Sequence, residues 1–157
     1  MSSSPPASGA EARDTAQELR ARALRLLARR EHSRAELARK LAAHAGSAAD
    51  LQGVIDFLLE RKSLSDERFA EARAHQLARR FGAARIRQDL KAKGVADEIV
   101  ARISSDGEIG RAKAILEKKF KIPAASREDY ARRARFLQGR GFSYDVIRSA
   151  LSSPRED

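Results

Sequence analysis

The amino-acid sequence predicts an all-α protein, a tandem array of three three-helix repeats forming an elongated, curved molecule. Three observations predict it. Apolar residues recur at three- and four-residue spacing, and no segment alternates as a strand would. An apolar residue four places before a glycine, followed by a second amphipathic run, occurs twice at a separation of 47 residues: Leu90 and Gly94 lead to Ile99 and Ile103, and Leu137 and Gly141 lead to Val146 and Ala150. A looser early copy sets Leu37 and Leu41 before a helix carrying Leu51, Val54, Ile55, Leu58 and Leu59, with a longer AAHAGSAAD connection between them. A period of roughly fifty residues holding several helices is the signature of a helical repeat array.

The elements follow from caps and punctuation. Helices are expected at 15–30, 34–44, 47–61, 66–80, 83–93, 96–104, 108–120, 127–139 and 144–152. Ser33 with Glu36 makes a capping box, Ser126 with Asp129 offers a weaker version, and Ser65 or Asp66 can cap the helix that begins near Glu67. Gly46, Gly82, Gly94 and Gly141 punctuate the other ends. Residues 1–14 are expected as a disordered tail, 15–62 as repeat 1, 63–105 as repeat 2, 106–152 as repeat 3, and 153–157 as a second disordered tail. Thirty alanines and 5% aromatic residues allow close helix packing but give thin cores, so each unit should depend on its neighbours for part of its burial.

Composition narrows the function. The chain has no Cys, no apolar run long enough to span a bilayer and no signal-peptide pattern, which points to a reducing, cytoplasmic setting. An enzyme is hard to build from what remains. His32, His44 and His75 lack metal-ligand spacing and are expected on helix surfaces, and there is no phosphate-binding glycine loop or nucleophile elbow. Neither a metal nor a cofactor is expected. Glu36 with Lys40 and Arg85 with Asp89 read as i, i+4 ion pairs.

The net charge of +10 is concentrated. Residues 68–93 carry eight Arg and Lys against two acids, and residues 111–140 carry ten against three. Such clustering speaks to partners rather than to fold, and it suggests a polyanionic or acidic partner. Arg73, Arg79, Arg80, Arg85, Arg87, Lys91 and Lys93 are candidates for a central docking face, extended by Arg132, Arg133 and Arg135. The plainer alternative is a set of solvated side chains whose stems cover an alanine-rich fold.

LSDERFAEA, followed by RRFGAARIRQDLKAKGV, resembles the central signature of the RecX family of recombinase regulators. SRAELARKL before VIDFLLERKSLSD is similar to that family's first unit and RARFLQGRGFSYDVIRSAL to its last, so the likeness covers roughly residues 18–152. There are two departures: Ala83 stands where the family commonly has proline, and Lys62-Ser63 replaces a commoner glycine and aromatic. The loss of proline should weaken the start of that helix slightly. The matching motif positions are Asp66, Arg68, Phe69, Gly82, Arg85, Ile86, Leu90 and Gly94. Phe69, Ile86 and Leu90 suit core faces, Gly82 and Gly94 turns, Asp66 a cap, and Arg68 can pair with an acid inside the fold.

The resemblance implies a regulatory protein, not an enzyme, that binds the RecA recombinase and its filament on single-stranded DNA and inhibits its ATPase, strand-exchange and coprotease activities. It places the chain in DNA repair, recombination and the SOS response. The implied partner is the filament, with single-stranded DNA phosphates as a further contact, engaged by a monomer. An alternative is a direct DNA binder of helix-turn-helix type, since SRAELARKLAAH precedes a second helix; that helix, 47–61, exposes Asp56 and Glu60 and lacks side chains suited to base edges. A third possibility is a structural helical adaptor with a basic surface.

Overall fold

A computed structural model describes residues 12–152. The helices in this span are α1 (Ala16–Arg29), α2 (Arg34–Ala42), α3 (Ala48–Glu60), α4 (Asp66–Leu77), α5 (Ala83–Ala92), α6 (Asp97–Ala101), α7 (Glu108–Lys119), α8 (Arg127–Gly139) and α9 (Tyr144–Leu151), with no named strand among the described residues. Thr15, Ser33, Ser47, Ser65, Ser126 and Ser143 cap six helix starts through side-chain oxygens.

The helices pack in three consecutive triples, each around its own core. Unit 1 buries Leu19, Leu37, Leu41, Val54, Ile55, Leu58 and Leu64. Unit 2 buries Phe69, Ile86, Leu90, Val95 and Val100, and unit 3 buries Ala112, Leu116, Leu137, Phe142 and Ile147. The fold is thus an all-α tandem array of three-helix units. Residues 1–11 and 153–157, which the sequence assigns to disordered tails, lie outside the described residues.

The repeated leucine–glycine spacing has a local cause. After α5 the Gly94 N–H donates to the Lys91 carbonyl and Val95 N–H to that of Leu90; after α8 Gly141 and Phe142 bond to Gln138 and Leu137 in the same way. This closing motif sets a left-handed residue four places after a buried leucine, and Gly94 and Gly141 have φ of +81° and +90°. The end of α3 uses the motif too: Lys62 N–H bonds to Leu59 and Ser63 N–H to Leu58, with Lys62 itself at φ 59°. A lysine there bears a left-handed backbone strain of ~1 kcal/mol that glycine would not.

Two seams join the units, and they share one construction. Between units 1 and 2 the Ser33 hydroxyl donates to the Lys93 carbonyl at 2.7 Å, and the Arg34 N–H donates to Asp66 Oδ1 at 2.7 Å. Between units 2 and 3 the Gly82 N–H donates to the Arg140 carbonyl at 2.8 Å, and the Ala83 N–H donates to Glu108 Oε1 at 2.6 Å. In both, the N-cap residue of one unit's middle helix meets the C-cap carbonyl of the next unit's middle helix. A carboxylate at the first position of the next unit's leading helix then takes the first helical N–H.

Several expectations are corrected. Gly82 is not a helix end but the N-cap of α5, where it lets the Gly141 backbone come close. The helix expected at 96–104 spans only Asp97–Ala101, and the one expected at 66–80 ends at Leu77. His32 lies not on a helix surface but buried at 1% exposure, just ahead of α2 where unit 1 meets unit 2. His44 sits half-buried in the turn after α2, while His75 is exposed on α4 as expected. Arg13 and Asp14, assigned to the tail, are held against the turn after α2.

Candidate docking surface

The ten cations expected to form one basic face are distributed by the fold into three kinds of position. Arg73 reaches from α4 to α5, where its Nε and Nη2 bond to Asp89 Oδ2 and Oδ1 at 2.9 and 3.0 Å. The fork-on-fork hydrogen bonds hold the Asp89 carboxyl below its ordinary range and raise the Arg73 guanidinium. Arg85 therefore does not pair with Asp89 as the i, i+4 spacing suggested. Its Nη1 instead donates to the Gly139 carbonyl at 2.8 Å, and its guanidinium lies 4.6 Å from the centre of the Phe81 ring. Arg87 turns away from Arg85 and donates to the Ile103 carbonyl at 3.0 Å and Ser105 Oγ at 3.2 Å, pinning the connection between units 2 and 3.

Unit 3 shows the same economy. Arg132 bonds to Asp129 Oδ1 at 2.7 Å and Arg133 to the Ile122 carbonyl at 2.5 Å, and their guanidinium groups lie 6.0 and 4.7 Å from the Phe120 ring centre. The Asp129 carboxyl is held low by the Ala125 N–H and by Arg132.

The remaining five are less tied. Lys93 borders a cleft of 270 Å³ between units 1 and 2, shared with Arg30, Glu31, Glu36 and Arg73. Glu36 pairs there with Arg30 at 2.9 and 3.0 Å rather than with Lys40, and that pairing holds its carboxyl low. Arg80 stands 5.7 Å from the Phe81 ring. Arg79, Lys91 and Arg135 are exposed, with no side-chain partner among the described residues.

One feature was missed by counting charges. Phe81, Phe136 and Phe120 are half-buried rings overlaid by cations along the seam of units 2 and 3. Arg140 lies 5.4 Å from the Phe81 ring and 5.0 Å from the Phe136 ring, and Phe136 meets Phe120 edge-on at 5.7 Å. Each such contact is worth about 0.5–1 kcal/mol at an exposed site. The signal was present as the Arg-Phe pairs at 80–81 and 135–136. Its effect is to fix where the guanidinium groups stand. The described surface offers fixed donors together with free cations.

Comparison with known proteins agrees with this architecture. Models of the first, second and third three-helix domains of RecX match residues 20–58, 65–102 and 106–151. "Regulatory protein RecX" of Leptothrix cholodnii is 47% identical over 136 residues, covering 85% of this chain and 87% of that one. The protein of the same name from Herbaspirillum seropedicae is 44% identical over 138 residues, covering 86% and 90%. The crystal structure of RecX from Lactobacillus salivarius superposes with a TM-score of 0.77 at 20% identity, over 87% of this chain and 94% of that one. A second crystal structure, of a regulatory protein RecX, gives 0.70 at 16% identity, over 86% and 72%. Three matched domains in order, over an array of matching three-helix units, establish that the chain belongs to the RecX family.

Proposed function

We propose that this chain binds the RecA recombinase assembled on single-stranded DNA and holds down its ATPase, strand-exchange and coprotease activities, without catalysis of its own. One observation carries the reading: Arg79, Lys91 and Arg135 are exposed and unpaired among the described residues on units 2 and 3, where Arg73, Arg85, Arg87, Arg132 and Arg133 are pinned. Charges fixed on a braced array can meet acidic protein or phosphate at several points together, and contacts that share one rigid carrier add through effective concentration. The name of the relatives, regulatory protein, fits a binder of this kind. The chain acts as a monomer in the cytoplasm on this reading, and among the described residues no helix is long and apolar enough to cross a membrane. The ten cations are its contact set, with Arg79, Lys91 and Arg135 reaching the partner and Arg73, Arg85, Arg87, Arg132 and Arg133 keeping the array stiff beneath them.

The test measures binding to bare single-stranded DNA, to bare duplex and to recombinase-coated single strand at physiological salt. A marked preference for the coated strand is expected. Equal affinity for bare and coated strand would replace this reading with direct DNA binding, and that mode would also weaken steeply as salt rises.

A further inference from the structure

The shared construction of the seams leaves one surface to account for. Units 2 and 3 each present the C-cap carbonyl of their middle helix, Lys93 and Arg140, to the start of the preceding unit's middle helix. Unit 1 has the equivalent surface at Ala43, the C-cap of α2, and the turn that follows it. That surface is not bare. The Arg13 guanidinium donates to the Ala43 carbonyl, the Asp14 N–H donates to the His44 carbonyl at 2.9 Å, and Asp14 runs beside Ala45 in an isolated parallel bridge. Arg22 holds the Asp14 carboxylate at 2.7 and 3.3 Å, anchoring the short strap to α1. The Arg13 donor thus stands where the seams place a donor from a preceding unit, on the C-cap carbonyl of the middle helix. The Asp14 N–H adds a bond of its own to the next carbonyl, since α1 opens with Ala16 and offers no counterpart to Asp66 or Glu108.

We propose that Arg13 and Asp14 are an end cap, which occupies the seam surface of unit 1 and keeps it from taking up the start of α8 of a second copy of this chain. The fold itself names the occupant. The seam surfaces of units 2 and 3 are each filled by the start of a middle helix, α2 and α5, so this chain's middle-helix starts are what such a surface fits. The third, α8, begins with Ser126, a hydroxyl-bearing N-cap like Ser33, followed by an exposed Arg127. Joining α8 of one copy to the α2 turn of the next is a head-to-tail contact that does not close on itself, so without a cap it would run on into open chains. Repeat arrays need such terminal caps for the same reason. The strap supplies one from a few residues instead of from a whole additional unit, and it keeps the array at three units when it meets its partner.

Sedimentation velocity over a wide concentration range tests this. The full chain is expected to sediment as a single monomeric species, and the variant Arg13→Ala with Asp14→Pro, which removes both strap donors, to show a sedimentation coefficient that rises with concentration. Adding Ser126→Asp keeps a good N-cap but turns an acceptor toward the Ala43 carbonyl, so it should return the strap variant to a monomer. A strap variant that keeps its helical circular dichroism and stays monomeric overturns the proposal, as does association of the full chain itself. Association that Ser126→Asp leaves intact overturns the assignment of α8. If the double change unfolds unit 1, Arg13→Ala alone, which retains the Asp14–Arg22 pair and the Thr15 cap, is read by the same criteria.

Discussion

Ala83 opens α5 at a position that would also suit proline, and the structure shows what the alanine adds. Its N–H donates to the buried Glu108 carboxylate at 2.6 Å, replacing the side-chain cap that Gly82 cannot supply. Proline suits the first position of a helix, yet here it would remove the one donor within hydrogen-bond distance of the Glu108 carboxylate among the described residues, since Arg111 stands 3.8 Å away. Ala83→Pro should therefore destabilise the protein by ~1–3 kcal/mol, read as a lower urea midpoint, the cost of leaving a buried acceptor unmet. His32 gives a second expectation at this scale. Its Nδ1–H donates to the Arg30 carbonyl at 3.0 Å and its Nε2 accepts from Lys40 at 3.0 Å, an arrangement open only to the neutral ring. Burial holds its pKa below the ordinary histidine value. The unfolded chain then binds a proton that the folded chain refuses, so stability falls as pH drops below 6.5 toward the folded-state pKa. Urea midpoints measured across that window should decline with acid, and His32→Gln should flatten the decline.

The helices explain which parts of the fold could be read in advance. Helical periodicity and the serine caps are local, and the leucine–glycine spacing is a closing motif completed within six residues of chain, so elements and repeat order were legible. The seams were not, because their bonds link residues far apart in sequence: Arg85 meets the carbonyl of Gly139, and Ser33 that of Lys93. For the same reason i, i+4 arithmetic misassigned Asp89, whose true partner Arg73 lies on the neighbouring helix. Burial of His32, whose ring is bonded to Arg30 and Lys40, could not be seen from the helix pattern. Gly82 and Gly141 test how closely the elements must meet. A Cβ on Gly82 would lie 2.4 Å from the Gly141 carbonyl oxygen, a backbone atom that cannot turn aside. Gly82→Ala should cost about 1–3 kcal/mol through overpacking alone. Gly141→Ala, with φ at +90°, adds backbone strain to its contact with Arg85 and should cost more. Thermal melts of the two variants, with hydrogen exchange at the starts of α5 and α9, distinguish a parted seam from a damaged core.

At the scale of the whole molecule the basic charge falls into two groups. Charge clustering in the sequence pointed to a surface of ten cations, and the fold gives half of them internal partners: Arg73, Arg85, Arg87, Arg132 and Arg133 brace helices or seams. Arg132 pairs locally with Asp129, but tertiary contacts decide the place of Arg73, Arg85, Arg87 and Arg133, so most of this division could not be read from spacing. Changing a bracing residue should lower stability and disturb binding together, whereas changing a free one should alter binding in a chain of unchanged stability. The central claim is that the free cations of a stiff array engage the recombinase filament. Its most direct test is inhibition of the filament's DNA-dependent ATPase by the variant Arg79→Ala, Lys91→Ala and Arg135→Ala, with its thermal midpoint measured alongside. Loss of at least tenfold in inhibitory potency, about 1.4 kcal/mol, with an unchanged midpoint is the predicted result. Full inhibition by the folded variant would contradict the account.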